Sequence, residues 1–373
     1  MSNESTKAGR WLALLGAAAL VASVPAAAVA QDDFQPERMG GIPGALLPAE
    51  RVLWQYDTAT GQFAPTDGDA SDYSPNLRAL EGKKIGFAEG WAAIPFSFSI
   101  NERMFELADE LGFEVIYCDN NFEADKAITC AETIAQQGPD FVLESNWQSG
   151  AANAVMAIFD AESIPVVTID VIHPNAIFLG ADNYVSGLIA GEAAGEYAQS
   201  EDRCGDVSIL VGINPGEGDA ANERLSGFID GVQTICGAIP ADRIADQLID
   251  AGTTDQALTI ATDWLTANPQ AGFVLAATID DARSVGIANA LTDSGRDGAA
   301  VGIGCDEIGI VPTRTPVAEN HFLGCVAYFP EKYPDYAVSL AADILAGEPV
   351  PQEVHLAHEF LGIDNIDSVY PPA

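Results

Sequence analysis

From Lys83 onward the sequence alternates short apolar runs with helical patterns, and this alternation constrains the fold more than any other feature. The apolar runs are rich in Ile, Val and Phe, as expected of strands that are buried on both faces of a parallel sheet. Strands that alternate with helices are typical of βαβ units. Two such series follow one another, from residue 83 to about 181 and from about 183 to 327. The sequence therefore predicts two doubly wound, Rossmann-like α/β lobes.

The predicted strands share this apolar, β-branched character and are Lys84–Ala88, Glu114–Cys118, Phe141–Glu144, Val166–Asp170, Val207–Gly212, Ala245–Ile249, Phe273–Thr278, Ala300–Gly304 and Phe322–Tyr328. The predicted helices share a helical spacing of apolar residues and are Ser97–Leu111, Ala124–Gln137, Ala151–Ala161, Val185–Gln199, Ala220–Ile235, Thr254–Ala267, Asp281–Thr292 and Asp335–Ala346. Residues 31–82, by contrast, are irregular and rich in Pro, Gly and Asp, so they are predicted as a linker or as an N-terminal extension that lies on a lobe. Trp54 and Tyr56 indicate that part of this extension packs against a lobe.

Residues 1–30 resemble a secretory signal peptide. Lys7 and Arg10 precede the uncharged apolar segment Trp11–Val24, and Ala28–Ala30 has the pattern of a cleavage site. The apolar segment is short for a membrane-spanning helix, which needs about 20 residues. We therefore expect an exported chain that is cleaved near Ala30 and located in the periplasm.

The six cysteines support export, because disulfides form in oxidising compartments. They fall into three pairs that are close in sequence, so we predict Cys118–Cys130, Cys204–Cys236 and Cys305–Cys325, although the sequence alone leaves other pairings open. The formal net charge of −39 argues against nucleic acid as a partner, since binding to phosphates requires Lys and Arg. We interpret the charge as a solvated surface.

Carboxylates and aromatic residues follow several predicted strands. In parallel sheets, ligands bind outside the carboxyl ends of the strands. Those ends carry Glu89 and Trp91, Glu144–Trp147, Asp170, Asn214–Asp219, Asp280 with Asp281, and Asp306 with Glu307. A carboxylate accepts strong hydrogen bonds, and an aromatic face covers an apolar surface or a cation. A ligand site in a cleft between the lobes is the functional interpretation, and capping of the following helices is the alternative.

No catalytic or metal-binding motif is evident. The Gly212–Gly218 loop lacks the lysine of a phosphate-binding loop, and neither G-x-S-x-G nor H-E-x-x-H occurs. His355 and His358 lie three residues apart, which brings two metal ligands together only on a helix. We therefore expect no metal and no cofactor. The carboxylates leave a glycosidase-type acid and base pair open, although no pair stands out.

Six segments in order resemble the type I periplasmic solute-binding proteins of the ribose and galactose class, which serve ABC importers. They are Ile94–Phe96, Ser163–Asp170, Gly180–Glu192, Asp219–Val232, Asp280–Leu291 and Val301–Glu307. The resemblance implies two lobes joined by a three-segment hinge, with the ligand in the interlobe cleft. The implied N-terminal lobe contains residues 83–181 and 329–352, and the C-terminal lobe contains 182–328 and 353–365. Crossovers are expected near Ala181–Asn183, Tyr328–Pro330 and Pro351–His355.

Position by position, the resemblance implies ligand contacts from Phe96, Asp170, Asn222, Asp280, Asp306 and Tyr328, and strand-end placement adds Trp91 and Trp147. The chain departs from the family's pattern at four positions. Val171 and Asn222 stand where relatives often have arginine, and Asp280 and Ile94 where they often have asparagine. Two cations are lost and one carboxylate is gained.

The expected function is therefore a monomeric, non-catalytic receptor for a sugar or polyol. Its expected partner is the membrane permease of an ABC importer, and a chemoreceptor or sensor kinase is a further possible partner. A small cationic solute as ligand, or a secreted carboxylate-based hydrolase, remains an alternative. The sequence does not identify the ligand.

Overall fold

A computed structural model describes residues 51–70, 73–215 and 218–372. The expected signal peptide, residues 1–30, lies outside the described residues. Along the chain, an antiparallel hairpin of β1 (Val52–Asp57) and β2 (Gln62–Asp69) comes first. Within the described part of the chain, no helix is long and apolar enough to cross a membrane.

The first lobe is built from alternating strands and helices. In order they are β3 (Lys84–Glu89), α1 (Pro95–Leu111), β4 (Glu114–Asp119), α2 (Ala124–Ala135), β5 (Phe141–Glu144), α3 (Ala152–Ala161), β6 (Val166–Ile169) and β7 (Ile177–Ala181). The second lobe contains α4 (Asn183–Ser200), β8 (Val207–Ile213), α5 (Gly218–Cys236), β9 (Ile244–Leu248), α6 (Thr254–Ala267), β10 (Phe273–Thr278), α7 (Asp281–Ser294), β11 (Gly298–Gly304), α8 (Glu307–Thr313), α9 (Val317–Asn320) and β12 (Phe322–Ala327). The remaining elements are α10 (Tyr333–Leu345), β13 (Val350–Pro351), β14 (Glu353–Leu356), β15 (Glu359–Gly362) and α11 (Ile366–Val369).

Each lobe contains one six-stranded sheet with helices on both faces. The order is β4-β3-β5-β6-β7-β14 in the first sheet and β9-β8-β10-β11-β12-β15 in the second. All pairs are parallel except β12 with β15. The chain reverses its direction of strand addition beside β3 and beside β8, and ligands bind at such switch points. The predicted two-lobe, doubly wound α/β fold is confirmed.

The hairpin belongs to the first lobe. β1 pairs with β13, with Trp54 opposite Val350, and the buried side chains of Tyr56 and Phe63 join the core between the first sheet and helices α1 and α10. Residues 51–70 therefore lie on the first lobe and are not a linker, because their apolar side chains complete its core.

Two strands differ from the sequence-based expectations. The sequence does not predict β7, because its short run contains Gly180 and Ala181, which are weak strand formers. The resemblance places β14 in the C-terminal lobe with residues 353–365, but Val354 pairs with Leu179 of β7 in the first sheet. That assignment is wrong for β14, whose Val354 and Leu356 are buried at the edge of the first sheet. The third crossover consequently follows β14, at Ala357 and His358.

Helices α4 and α5 pack with their backbones in close contact. A Cβ atom on Gly187 would lie 1.8 Å from the carbonyl oxygen of Arg224, and one on Gly191 would lie 2.1 Å from that of Phe228. Only glycine permits this approach, which places the N-terminal part of α5 against the first crossover. The three disulfides are Cys118–Cys130, Cys204–Cys236 and Cys305–Cys325, as predicted.

Candidate ligand-binding site

A cavity of about 310 Å³ lies between the carboxyl ends of the two sheets. Both lobes contribute to its walls, as the switch-point rule predicts. Seven of the eight predicted site residues line it, namely Trp91, Phe96, Trp147, Asp170, Asp280, Asp306 and Tyr328. Its size and mixed apolar and acidic lining suit a small organic ligand.

Aromatic side chains form the first-lobe wall of the cavity. The ring of Trp91 stacks on Phe122 with centroids 5.7 Å apart. Phe96 meets Trp147 edge to face at 6.3 Å and Tyr328 at 6.5 Å. Phe96 occupies the first turn of α1, because Pro95 fixes the start of that helix. The sequence did not single out Phe122, which belongs to a turn after β4.

Asp170 joins this wall to the hinge. Its Oδ1 accepts hydrogen bonds from the backbone N–H of Ala181 and from the hydroxyl of Tyr333, each at 3.0 Å. Its backbone has φ of 60°. A side chain on Gly180 would collide with Oδ1 at 2.6 Å, so the glycine makes room for this carboxylate. Burial raises the pKa of Asp170, and the Ala181 N–H and the Arg224 guanidinium partly oppose that rise.

Four carboxylates from the second lobe line the cavity, namely Asp250, Asp280, Asp281 and Asp306. Asp280 caps α7 by accepting from the Arg283 N–H at 2.9 Å, and Asp306 caps α8 by accepting from the Ile308 N–H at 2.8 Å. Asp281 accepts from the Asp306 N–H at 2.8 Å. Helix capping and cavity lining therefore coincide at Asp280 and Asp306 and are not alternatives there.

Burial disfavours the ionised forms of Asp281 and Asp306, and neighbouring carboxylates add to this effect. Burial and the nearby Asp306 raise the pKa of Asp281 well above its usual range. Burial also raises the pKa of Asp306, and the charges of Asp280 and Glu307 contribute to that rise. Asp281 lines the cavity as well, although the resemblance implied only its neighbour, Asp280.

Asn222 is absent from the cavity lining. Its amide oxygen accepts from the Asn214 N–H at 3.2 Å, and its amide nitrogen donates to the Asn214 carbonyl at 3.1 Å. These bonds direct the side chain toward its own loop, and a ligand contact at Asn222 stays a prediction. From the same helix Arg224 lines the cavity, donating to Asn183 Oδ1 at 2.7 Å and to the Ile279 carbonyl.

The three crossovers meet beside the cavity. The Asp182 N–H of the first crossover donates to His358 Nε2 of the third at 3.0 Å. The His358 ring packs against Tyr328 of the second, with centroids 4.8 Å apart. The Tyr328 hydroxyl lies 2.7 Å from that of Ser186, and the Arg224 guanidinium lies 5.0 Å above the Tyr328 ring. Burial lowers the pKa of His358 to about 3, so the imidazole is neutral and available as an acceptor.

The other histidine of the pair, His355, packs against Phe178 with ring centroids 5.1 Å apart, and its Nε2 lies 3.5 Å from Glu353. In the described part of the chain, no group of three or more His, Cys, Asp or Glu side chains is arranged to hold a metal ion. These two histidines are therefore packed within the structure at the edge of the first sheet and at the hinge.

The protein has two α/β lobes, each built on a mainly parallel sheet, with three crossovers and a cavity between them. These features define a two-lobe solute-binding protein. The chain belongs to the periplasmic binding protein domain family, whose model matches residues 85–349.

The relatives of this chain are transport proteins by name. The ribose import binding protein of Bacillus subtilis (strain 168) is 26% identical over 280 residues, covering 72% of this chain and 84% of its own length. The protein of the same name from Escherichia coli (strain K12) is 24% identical over 264 residues, covering 69% and 82%. Among solved structures, an ABC transporter solute-binding protein from Mycobacterium smegmatis with bound glycerol has a TM-score of 0.66 at 22% identity, covering 78% and 98%. One from Bacillus halodurans C-125 with bound myo-inositol has a TM-score of 0.64 at 18% identity, covering 78% and 98%. These structures share the fold of this chain.

Proposed function

We propose that this chain is the exported receptor of an ABC importer and binds a sugar or polyol between its lobes without changing it. The observation that carries this proposal is the interlobe cavity, in which aromatic faces from one lobe oppose carboxylates from the other. The names of the relatives and the ligands of the similar structures support the same class of ligand and disfavour a small cationic solute.

The charges at the cavity favour a ligand rich in hydroxyl groups. Asp170, Asp280 and Asp306 supply acceptors. The cavity's two arginines are engaged within the protein, Arg224 with Asn183 and the Ile279 carbonyl, and Arg283 with Asp280. Hydroxyl groups can donate to the carboxylates, whereas a ligand carboxylate or phosphate would be repelled by them.

Each wall then has its own role. The rings of Trp91, Phe96 and Trp147 cover the apolar C–H face of the ligand. Asp170 accepts from hydroxyls on the first-lobe side and Asp306 from those on the second. Ligand contacts on both walls would favour closure of the lobes around the crossovers. The closed form is the one that we expect the membrane permease to recognise in the periplasm, and a chemoreceptor or sensor kinase could read the same surfaces.

A thermal-shift screen tests this proposal. Purified protein, freed of ligand by partial unfolding and refolding, is heated with D-ribose, D-allose, allitol, myo-inositol or glycerol. A compound present at about 100 times its dissociation constant adds about 2.7 kcal/mol of stability, which is readily detected. D-gluconate is the matched control, because it keeps a polyol chain but adds a carboxylate, and we expect it to give no shift.

Recovery of the bound compound separates a receptor from an enzyme. A receptor returns the compound unchanged after long incubation, and we expect that result also for glycosides of the bound sugar. Hydrolysis of such a glycoside, or a larger shift with D-gluconate than with any neutral compound, would contradict the proposal.

A further inference from the structure

Glu89 is a buried carboxyl group that lies behind the ligand cavity rather than in its wall. It is the last residue of β3, at the switch point of the first sheet, and its exposed fraction is 0%. In the sheet it is paired with Asp119 of β4. The proposed function gives this residue no role, and a buried carboxyl group has a high desolvation cost.

One oxygen of Glu89 holds both ends of the segment that leaves the sheet and enters α1. Oε1 accepts from the backbone N–H of Gly90 at 2.6 Å and, at 3.3 Å, from that of Trp91. It also accepts from the hydroxyl of Ser97 at 3.0 Å, and Ser97 is buried in the first turn of α1. The segment 90–97 is thus closed into a loop by a single carboxylate.

This loop carries much of the aromatic wall. Trp91 and Phe96 both line the cavity, and they approach it from opposite ends of the loop. The loop also lies close to Trp147, since a Cβ atom on Gly90 would be 3.1 Å from that indole ring. A change in the conformation of the loop would therefore change the separation of the rings that receive the ligand.

We propose that Glu89 is a positioning residue for ligand binding, whose ionised carboxylate holds the segment 90–97 so that Trp91 and Phe96 are set at the spacing the ligand requires. The proposal concerns the affinity of the cavity and in that respect rests on the proposed function. Its structural part, the control of Trp91 by Glu89, stands without any ligand.

The surroundings of Glu89 make this control dependent on pH. Oε2 is buried without a hydrogen-bond partner among the described residues. Among the described residues, Asp119 and Tyr117, both on β4, are titratable groups that face Glu89, and neither is a cation. Burial raises the pKa of Glu89 to about 7, while the Ser97 hydroxyl and the two N–H groups oppose the rise. Acidification through that value protonates the carboxyl, weakens its three hydrogen bonds and loosens the loop.

Fluorine NMR of protein labelled with 5-fluorotryptophan tests the structural part without ligand. The Trp91 resonance is assigned from its loss in Trp91→Phe, and spectra are recorded between about pH 5 and pH 9, around the expected midpoint. In the wild-type chain we expect this resonance to move with a midpoint near 7, the value to which burial raises the pKa of Glu89. In Glu89→Gln we expect no such movement.

Two controls identify the source of the titration. The resonance of Trp264, on α6 of the other lobe, should not move in either protein. Asp119→Asn should keep the movement, because Glu89 remains. A Trp91 resonance that does not respond to pH, or that moves equally in Glu89→Gln, would overturn the proposal.

Affinity measurements test the functional part with the neutral compound that gives the largest thermal shift. Above the midpoint, Glu89→Gln should weaken binding about tenfold, as expected for the loss of a charged acceptor. Wild-type affinity should fall toward that of the variant on acidification, whereas the variant should change less. Ser97→Ala, which removes one of the three donors, should have a smaller effect. Equal affinity of wild type and Glu89→Gln at every pH would overturn this part. Absence of binding by every compound would contradict the proposed function instead, and the NMR result would still decide the role of Glu89.

Discussion

The substitution Asp170→Asn tests the proposed ligand contact on the first lobe. Asparagine has the same shape as aspartate and tolerates the left-handed backbone that this position requires, with φ of 60°. Its amide oxygen can still accept from the Ala181 N–H and the Tyr333 hydroxyl, which now bind Oδ1. The change therefore removes the charge and replaces Oδ2, the oxygen left for the ligand, by a donor.

The expected loss follows from the chemistry of that oxygen. A hydrogen bond to a charged acceptor is worth about 1.5–3 kcal/mol, which corresponds to a roughly 10- to 150-fold weaker affinity. Alanine would be a poorer probe. It leaves the Ala181 N–H and the Tyr333 hydroxyl unpaired in a buried site, at about 1–3 kcal/mol each, and adds about 1 kcal/mol of backbone strain.

Isothermal titration with the best neutral compound measures the affinity, and urea unfolding measures the stability. Burial raises the pKa of Asp170, so wild-type binding should weaken as the pH falls through that raised value, whereas this loss should be absent from Asp170→Asn. Tyr333→Phe is the matched control, since it removes one donor to Oδ1 but leaves the charge. Unchanged affinity in Asp170→Asn, with a normal stability, would refute a ligand contact at this carboxylate.

Three further predictions concern the framework around the cavity. Because burial lowers the pKa of His358 to about 3, the unfolded chain binds more protons below pH ~6.5, and stability falls as the pH falls from there toward 3. His358→Gln keeps a hydrogen-bond acceptor, so its melting temperature should fall less steeply with decreasing pH than that of the wild-type protein. Equal slopes for the two proteins would show that His358 does not cause the loss of stability in acid. Replacing Cys305 and Cys325 by Ala opens a disulfide with a sequence separation of 20, which should lower the free energy of unfolding by about 3 kcal/mol in urea titrations. No change would show that the crosslink does not restrain the unfolded chain. Gly191→Ala places a methyl group 2.1 Å from the Phe228 carbonyl oxygen, so overpacking of about 1–3 kcal/mol should outweigh the gain in helix propensity, and a higher melting temperature would contradict the close packing.

The lobes were predictable because most of their strands are apolar runs and most of their helices space apolar residues along one face. The strands near the edge of the first sheet were harder to predict. β7 is a short run that ends in Gly180 and Ala181. Its partner β14 (Glu353–Leu356) is distant from it in the sequence. Sequence patterns show which residues are apolar, but they do not show which distant strand an edge strand joins.

The candidate site was predictable to the extent that strand ends determine it. Asp170 directly follows β6, Asp306 follows β11 after one intervening residue, and both line the cavity. Asn222 and Arg224 lie on one helix two residues apart, and the sequence does not show which of the two lines the cavity, because that depends on local hydrogen bonds. Glu89 was visible as a strand-end carboxylate, but its attachment to Ser97 depends on how α1 folds back. The ligand contacts of the remaining residues stay predictions.

The central claim is that one neutral, hydroxyl-rich compound binds in the interlobe cavity without reaction. Isothermal titration of the ligand-free wild-type protein with the panel of sugars and polyols tests it most directly. We predict saturable binding of at least one neutral compound at one molecule per chain, with the compound recovered unchanged. Binding of no neutral compound in the panel, or consumption of the one that binds, would contradict the account.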